Sequence, residues 1–263
     1  MINRRTVAAA AVSMLALCGA ASAKEWTEVR IGTEGAYPPF NNLNAAGEVE
    51  GFDIDLGNAL CEKMKVECTW VTQDWDGIIP ALTSGKFDVI IAAMDATEER
   101  AKVIDFSQPY FSTPLSLIGP KSVAPFAITA EALAGKTIGV QGSTTQATYA
   151  EQKFAGAELR RYPTQDEANA DLASGRIDFV LSDKMPMIAY LETDAGKACC
   201  AMIGDLPRDV AIQGVGSAFA FRKGDPELRA KFDAALEEAK KDGTYRRIQA
   251  KYFAFDLIDG LGG

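Results

Sequence analysis

The sequence predicts an α/β fold of two similar lobes, each a mainly parallel sheet flanked by helices. Two observations predict it. The segment Leu82-Thr83-Ser84-Gly85-Lys86-Phe87-Asp88-Val89-Ile90-Ile91 recurs ninety positions later as Leu172-Ala173-Ser174-Gly175-Arg176-Ile177-Asp178-Phe179-Val180-Leu181. Around each copy, strand and helix signals follow in the same order, and such alternation builds a parallel sheet. The 263 residues suffice for one large domain or two small ones, each with its own core.

Within each copy a helix end meets a Gly C-cap, and a short β-branched or aromatic run then reads as a buried strand. Upstream, Val29–Thr33 and Thr137–Val140 read as strands that run into turns. Helices follow near Asp53–Lys65 and Thr144–Phe154, then strands near Thr69–Thr72 and Glu158–Arg161. Helices near Gly77–Ser84 and Gln165–Ser174 lead into the repeated segments. Beyond Val215, Ala218–Phe221 is a further strand. Asp225-Pro226-Glu227 opens a helix with a cap residue, Pro at N1 and an acidic first turn. It stops at Asp242-Gly243, and a last helix covers Tyr245–Phe253. These pieces have no counterpart in the second half, so they are expected to return and complete the first lobe.

The chain opens with Arg4 and Arg5, an apolar run Val7–Leu17 and the small-x-small site Ala21-Ser22-Ala23, which reads as a secretory signal peptide over residues 1–23. The general secretory route is expected over twin-arginine export. Loss of the two arginines takes the formal charge from -9 to -11, so the mature protein is exported and acidic. An acidic chain lacks the basic surface that neutralises phosphates, which argues against a nucleic-acid partner. The chain has no histidine, which removes His triads and His metal sites. No C-x-x-C occurs, and neither a metal nor a cofactor is expected. Cys61 and Cys68 lie at the end of one predicted helix and the start of the next strand, and form either a local disulfide or two buried thiols. Adjacent Cys199 and Cys200 are left open, a vicinal bridge being strained.

Open parallel sheets bind ligands at the carboxyl ends of their strands. Those positions carry Glu34 and Tyr37 in the first turn, Ala92, Ala93 and Asp95 with Arg100 just beyond, the stretch Gln141-Gly142-Ser143-Thr144-Thr145, and Asp183. Trp75 lies on the approach to a helix between two of these ends. Arg100 offers a planar fork for a carboxylate, and Ser143, Thr144 and Thr145 at a helix start offer further donors. Asp183 accepts from an ammonium group, Tyr37 and Trp75 sandwich an aliphatic or cationic chain, and Glu34 neutralises a basic tip. Each has a plainer alternative. Arg100 also reads as a solvated helix residue, Asp183 as an N-cap, and Tyr37-Pro38-Pro39-Phe40 as a rigid turn. Asp53 and Asp55 read as helix-start residues without ligand contact.

Tyr37-Pro38-Pro39-Phe40, Gly51-Phe52-Asp53-Ile54-Asp55-Leu56, Asp76-Gly77-Ile78-Ile79-Pro80-Ala81-Leu82, Thr97-Glu98-Glu99-Arg100, Ile104 through Tyr110, and Asp242-Gly243-Thr244-Tyr245 through Phe253 occur in order. Together they resemble the periplasmic substrate-binding proteins of polar amino-acid ABC transporters, above all the lysine/arginine/ornithine-, histidine- and opine-binding group. The resemblance covers essentially the whole mature chain. It implies the two-lobed periplasmic binding protein fold (type II) with a two-strand hinge, lobe one at 24–112 plus 217–263 and lobe two at 113–216. By that likeness Arg100 grips an α-carboxylate and Asp183 an α-ammonium. Thr145 adds a hydroxyl or amide, Tyr37 and Trp75 form an aromatic clamp, and Glu34 meets a basic end. Cys61 and Cys68 match a disulfide of the group.

Asp95 departs from the pattern, standing where the group usually carries Ser or Thr, and Ala92-Ala93 replace more polar neighbours. Asp95 either repels a ligand carboxylate or pairs with Arg100. Three acids and one base make a site of net charge -2 when all are ionised, which favours a cationic solute. The expectation is a periplasmic protein, monomeric, that captures a basic amino acid or a guanidino or amine derivative such as an opine. The implied partner is a membrane ABC permease, and a chemoreceptor is a further one. The alternative is an enzyme of the same fold, a cyclohexadienyl dehydratase.

Overall fold

A computed structural model describes residues 25–257; the predicted signal peptide lies outside the described residues. Two five-stranded sheets form the frame. In the first, Glu28–Thr33 lies between Glu67–Thr72 and Val89–Ile90, all parallel. In the second, Thr137–Gln141 lies between Glu158–Tyr162 and Phe179–Asp183, again parallel. The matching order agrees with the repeat in the sequence.

The repeat has a physical basis in both lobes. Gly85 and Gly175 sit at φ 82° and 71°, left-handed positions just past the helices Ile78–Thr83 and Gln165–Ala173. Three residues on, each copy's Asp reaches back to the first strand of its lobe. Asp88 Oδ2 accepts the Arg30 backbone N–H at 3.0 Å, and Asp178 Oδ2 accepts the Thr137 backbone N–H at 2.8 Å. The following strands are almost wholly buried, as their apolar runs predict.

Each sheet also has antiparallel members that the alternation does not announce. Ala220–Arg222 enters the first sheet between Val89–Ile90 and Ile104–Phe106, antiparallel to both. Leu115–Pro120 enters the second between Phe179–Asp183 and Cys200–Asp205 in the same manner. Each lobe thus takes a strand from a segment that passes between the lobes. The two crossing segments pair at Phe111 and Ser217, where Ser217 N–H donates to Phe111 O and Tyr110 N–H to Ser217 O, both at 2.9 Å.

The C-terminal helices Pro226–Lys241 and Thr244–Tyr252 pack on the helix Phe52–Met64. Leu228, Phe232, Leu236, Tyr245 and Ile248 share a buried core with Phe52, Leu56 and Leu60 of the helix Phe52–Met64. Lobe two has its own core around Leu117, Ile138, Val140, Ala150 and Leu181.

Cys61 and Cys68 are bridged, tying that helix to the strand Glu67–Thr72. Cys199 and Cys200, left open by the sequence, are bridged to each other. Cys61→Ala/Cys68→Ala should lower unfolding stability by about 2 kcal/mol, the scale for so short a closed loop, as read from urea unfolding of both proteins. An unchanged midpoint would show that the bridge constrains nothing in the unfolded chain.

Candidate functional site

The strand ends of the two sheets face each other, and a small cavity of about 20 Å³ lies between them. All eight predicted site residues line it: Glu34, Tyr37, Trp75, Ala93, Asp95 and Arg100 from lobe one, Thr145 and Asp183 from lobe two. Glu34 and Tyr37 flank a turn through Gly35 and the short strand Ala36–Tyr37. Ala93 holds φ at 49°, a left-handed conformation uncommon for a residue with a Cβ, and so turns the chain below Asp95. Arg100 sits on the short helix Glu98–Ala101, which Thr97 caps through its side chain. Thr145 opens the helix Thr145–Lys153, capped by Thr144.

Hydrogen bonds from both sides cross the cleft. Tyr37 Oη donates to Asp183 Oδ2 at 2.6 Å and lies 3.1 Å from Ser182 Oγ. Gln141 Nε2 donates to Glu34 Oε1 at 2.5 Å. Thr145 Oγ1 donates to Asp95 Oδ2 at 2.6 Å. Arg100 Nη2 and Trp75 Nε1 both donate to the Ser143 carbonyl, at 3.2 and 3.1 Å. The lobes are therefore closed on one another, with every acid of the cavity holding a neutral donor from its surroundings.

The alternatives left by the sequence resolve as follows. Arg100 is half-buried at the cleft, with its guanidinium carbon 5.3 Å from the Trp75 ring centre, a cation–π arrangement. Its Nη1 donates to the main-chain carbonyl of Asp95 at 3.0 Å. The Asp95 carboxylate instead takes the Thr145 hydroxyl, so the direct side-chain pairing of Asp95 with Arg100 is not what forms. Asp183 occupies the N-cap position of the helix Lys184–Leu191 but makes no side-chain cap bond there. Its carboxylate is committed to Tyr37 and, at 2.7 Å, to Gln146 Nε2.

Burial dominates the electrostatics. Glu34 is pushed up to about 7 by burial and by the nearby Asp166, Asp74 and Asp76, against the Gln141 hydrogen bond. Asp183 is likewise raised to about 7, by burial first and the Asp95 charge second. Burial raises Asp95 against the Thr145 hydrogen bond and the Arg100 charge. It lowers Arg100, which Asp95 and Asp183 partly counter. Three carboxyls about one guanidinium make a site short of positive charge, which a cationic ligand would supply.

Sequence reasoning missed Gln146 and Ser182, gave Gln141 no specific role, and read Ser143 as a donor where it accepts through its carbonyl. Gln146 follows Thr145 on the first helical turn, and its placement beside Asp183, 37 positions away, depends on the packing of that helix against the strand Phe179–Asp183. Ser143 acts through its carbonyl, to which side-chain identity gives no signal; it sits at φ 55°, and its carbonyl accepts from Arg100 and Trp75. Among the described residues, no cluster of three or more Asp, Glu or Cys has the geometry of a metal site, and no helix is long and apolar enough to cross a membrane.

The family model for bacterial extracellular solute-binding proteins, family 3, matches residues 29–255. The chain is 43% identical over 252 residues to the L-arginine-binding protein of Pseudomonas aeruginosa, covering 95% of each chain. It is 40% identical over 232 residues to the lysine/arginine/ornithine-binding periplasmic protein of Escherichia coli, covering 87% of this chain and 88% of that one. Among solved structures, an ancestral arginine-binding protein bound to arginine superposes with a TM-score of 0.79 at 39% identity, over 87% of this chain and 99% of the other.

Proposed function

The chain belongs to the bacterial extracellular solute-binding proteins of family 3, and on that premise we propose that it captures a basic amino acid or a guanidino or amine derivative between its lobes. It is a periplasmic binding protein, and a membrane ABC permease is the recipient of its closed complex. The observation that carries the reading is the cavity charge: three carboxyls, those of Glu34, Asp95 and Asp183, line it with one guanidinium, that of Arg100. Arg100 takes the ligand's α-carboxylate through the N–H groups not committed to Asp95 and Ser143. Asp183 takes the α-ammonium and Thr145 adds its hydroxyl. Tyr37 and Trp75 hold the aliphatic stem, and Glu34 neutralises the distal cation. Lobe one is residues 24–112 plus 217–263 and lobe two residues 113–216, hinging where Phe111 and Ser217 pair. A ligand that touches both lobes stabilises the closed form by that difference alone.

Both walls of the cavity come from one chain, so a monomer suffices. A chemoreceptor reading the same closed form is a further partner. The protein works as a binder and not as an enzyme, because three carboxyls facing the dianionic substrate of a dehydratase would repel it.

The test is thermal unfolding of residues 24–263, refolded once to strip ligand, against the common amino acids, ornithine, agmatine, putrescine and several opines. A ligand at one hundred times its dissociation constant should add about 2.7 kcal/mol of stability. Arginine, lysine or ornithine should raise the midpoint. Response only to acidic or neutral solutes would overturn the reading.

A further inference from the structure

Asp53 is fully buried at the start of the helix Phe52–Met64 and outside the lining of the cavity. A carboxylate is expensive to bury without a cation, yet its side-chain partners are neutral. Tyr110 Oη donates to Oδ1 at 2.7 Å, and Asn41 Nδ2 donates to Oδ2 at 3.1 Å. Burial raises this carboxyl to about 6.

Each partner carries a second bond to the cavity wall. With its amide nitrogen given to Asp53, Asn41 turns its oxygen to the Gly35 backbone N–H at 2.9 Å. Gly35 sits at φ 76° directly after Glu34. With its proton given to Asp53, the Tyr110 hydroxyl accepts the Ala93 backbone N–H at 3.2 Å. The carbonyl of Ala93 accepts from Ser217 Oγ at 3.2 Å, so both sides of this left-handed residue are tied. Tyr110 is itself anchored, through its main chain to Ser217 and through its carbonyl to the Tyr245 hydroxyl at 2.6 Å.

We infer that Asp53 is a positioning residue for the ligand cavity, fixing through Asn41 the turn that carries Glu34 and through Tyr110 the turn that precedes Asp95. Only an acceptor on both oxygens sets both donors in these directions. An Asn there offers one acceptor and one donor. With its oxygen toward Tyr110, its amide nitrogen confronts Asn41, which must flip and then present its own N–H to Gly35. The inference rests on the proposed binding of a basic solute for its ligand readout, and on geometry alone for the rest.

The experiment compares wild type, Asp53→Asn and the exchange Asn41→Asp/Asp53→Asn. The exchange restores every bond. The carboxylate it places at position 41 accepts from the Gly35 N–H and from the amide it places at position 53, and the oxygen of that amide accepts from Tyr110. Calorimetric titration uses arginine and its neutral analogue citrulline. Asp53→Asn should weaken arginine binding about tenfold or more, the range for partners that orient binding groups, and citrulline less, because the Glu34 turn is what loosens. The exchange should restore both affinities and their ratio. Hydrogen exchange at the Gly35 and Ala93 amides should speed up roughly tenfold in Asp53→Asn and recover in the exchange variant. Wild-type affinity and wild-type amide protection in Asp53→Asn would overturn the inference. So would equal losses for both ligands that the exchange fails to recover, which would make Asp53 a core residue only. If Asp53→Asn does not fold, Asn41→Ala carries the test: it breaks the bonds of residue 41 to Gly35 and Asp53 together, leaves the Tyr110 arm to Ala93 in place, and should cut the preference for arginine over citrulline. If wild type binds no basic amino acid, the proposed function fails, and the amide exchange still decides the role of Asp53.

Discussion

Arg100→Ala should weaken arginine binding by a hundredfold or more while leaving agmatine, which lacks the carboxylate, bound as well as before or better. Truncating one member of a buried, hydrogen-bonded charge pair costs about 2–5 kcal/mol, and Arg100 is the only cation lining the cavity among the described residues. Two of its five N–H groups go to the carbonyls of Asp95 and Ser143, and the rest remain for an anion. For a ligand without an anion the sign reverses. Arg100 then repels an incoming cation, and its loss leaves Glu34, Asp95 and Asp183 unopposed. Calorimetric titration of both ligands into both proteins separates the readings. Parallel losses would mean that Arg100 matters as a strut between the Asp95 and Ser143 carbonyls and not as a carboxylate clamp. Agmatine binding alone in wild type would mean that Asp95 has redefined the anion end of the site.

What the sequence made legible depended on whether a residue acts locally. Gly85, Gly175, Asp88 and Asp178 act within their own turn and the adjacent strand, so a repeated ten-residue string sufficed to place two matching lobes. The parallel strands were legible because each is a short run set off by a helix, buried in the inner strands and partly exposed at the edges Glu67–Thr72 and Glu158–Tyr162. Leu115–Pro120 and Ala220–Arg222 were harder, because their partners are fixed by the chain's two passages between lobes and no local pattern records a crossing. The site was legible as an inventory at strand ends and opaque as a network. Residue type could not tell an N-cap Asp183 from one turned to Tyr37, since both begin from the same backbone position. Asp53 shows the same limit. It is the helix-start residue that its position predicts, and its carboxylate nevertheless faces inward to Asn41 and Tyr110. Contacts that cross the cleft join residues 43 to 146 positions apart, and only the packed lobes bring them together.

The ligand-free lobes should close at pH 5 and open at pH 8, seen as a larger radius of gyration in small-angle scattering at the higher pH. In the closed form Glu34 and Asp183 lie at about 7, against ordinary values of 4.5 and 3.8. Opening hydrates both and returns them toward those ordinary values. The closed form therefore binds more protons between about pH 4 and 7. Closure is fully favoured below the ordinary carboxylate range and loses that advantage as pH rises through about 7. Each unit of difference is worth about 1.4 kcal/mol, so the two carboxyls together can decide the position of a balanced hinge. The neighbours act in the same direction: Asp166, Asp74 and Asp76 press on Glu34, and Asp95 on Asp183. Gln141, Tyr37, Arg100 and Arg208 oppose them without reversing the sum. A basic amino acid supplies a cation to each carboxyl, draws both back to the ionised state and holds the lobes closed at pH 8. Arginine binding should then release protons at pH 6 and none at pH 8.5, and its affinity should fall about tenfold per pH unit for each proton released as pH drops below 7. Calorimetry in buffers of different ionisation enthalpy counts those protons. A radius of gyration that stays constant from pH 5 to 8, with no protons released at pH 6, would show that closing the cleft does not bury these two carboxyls.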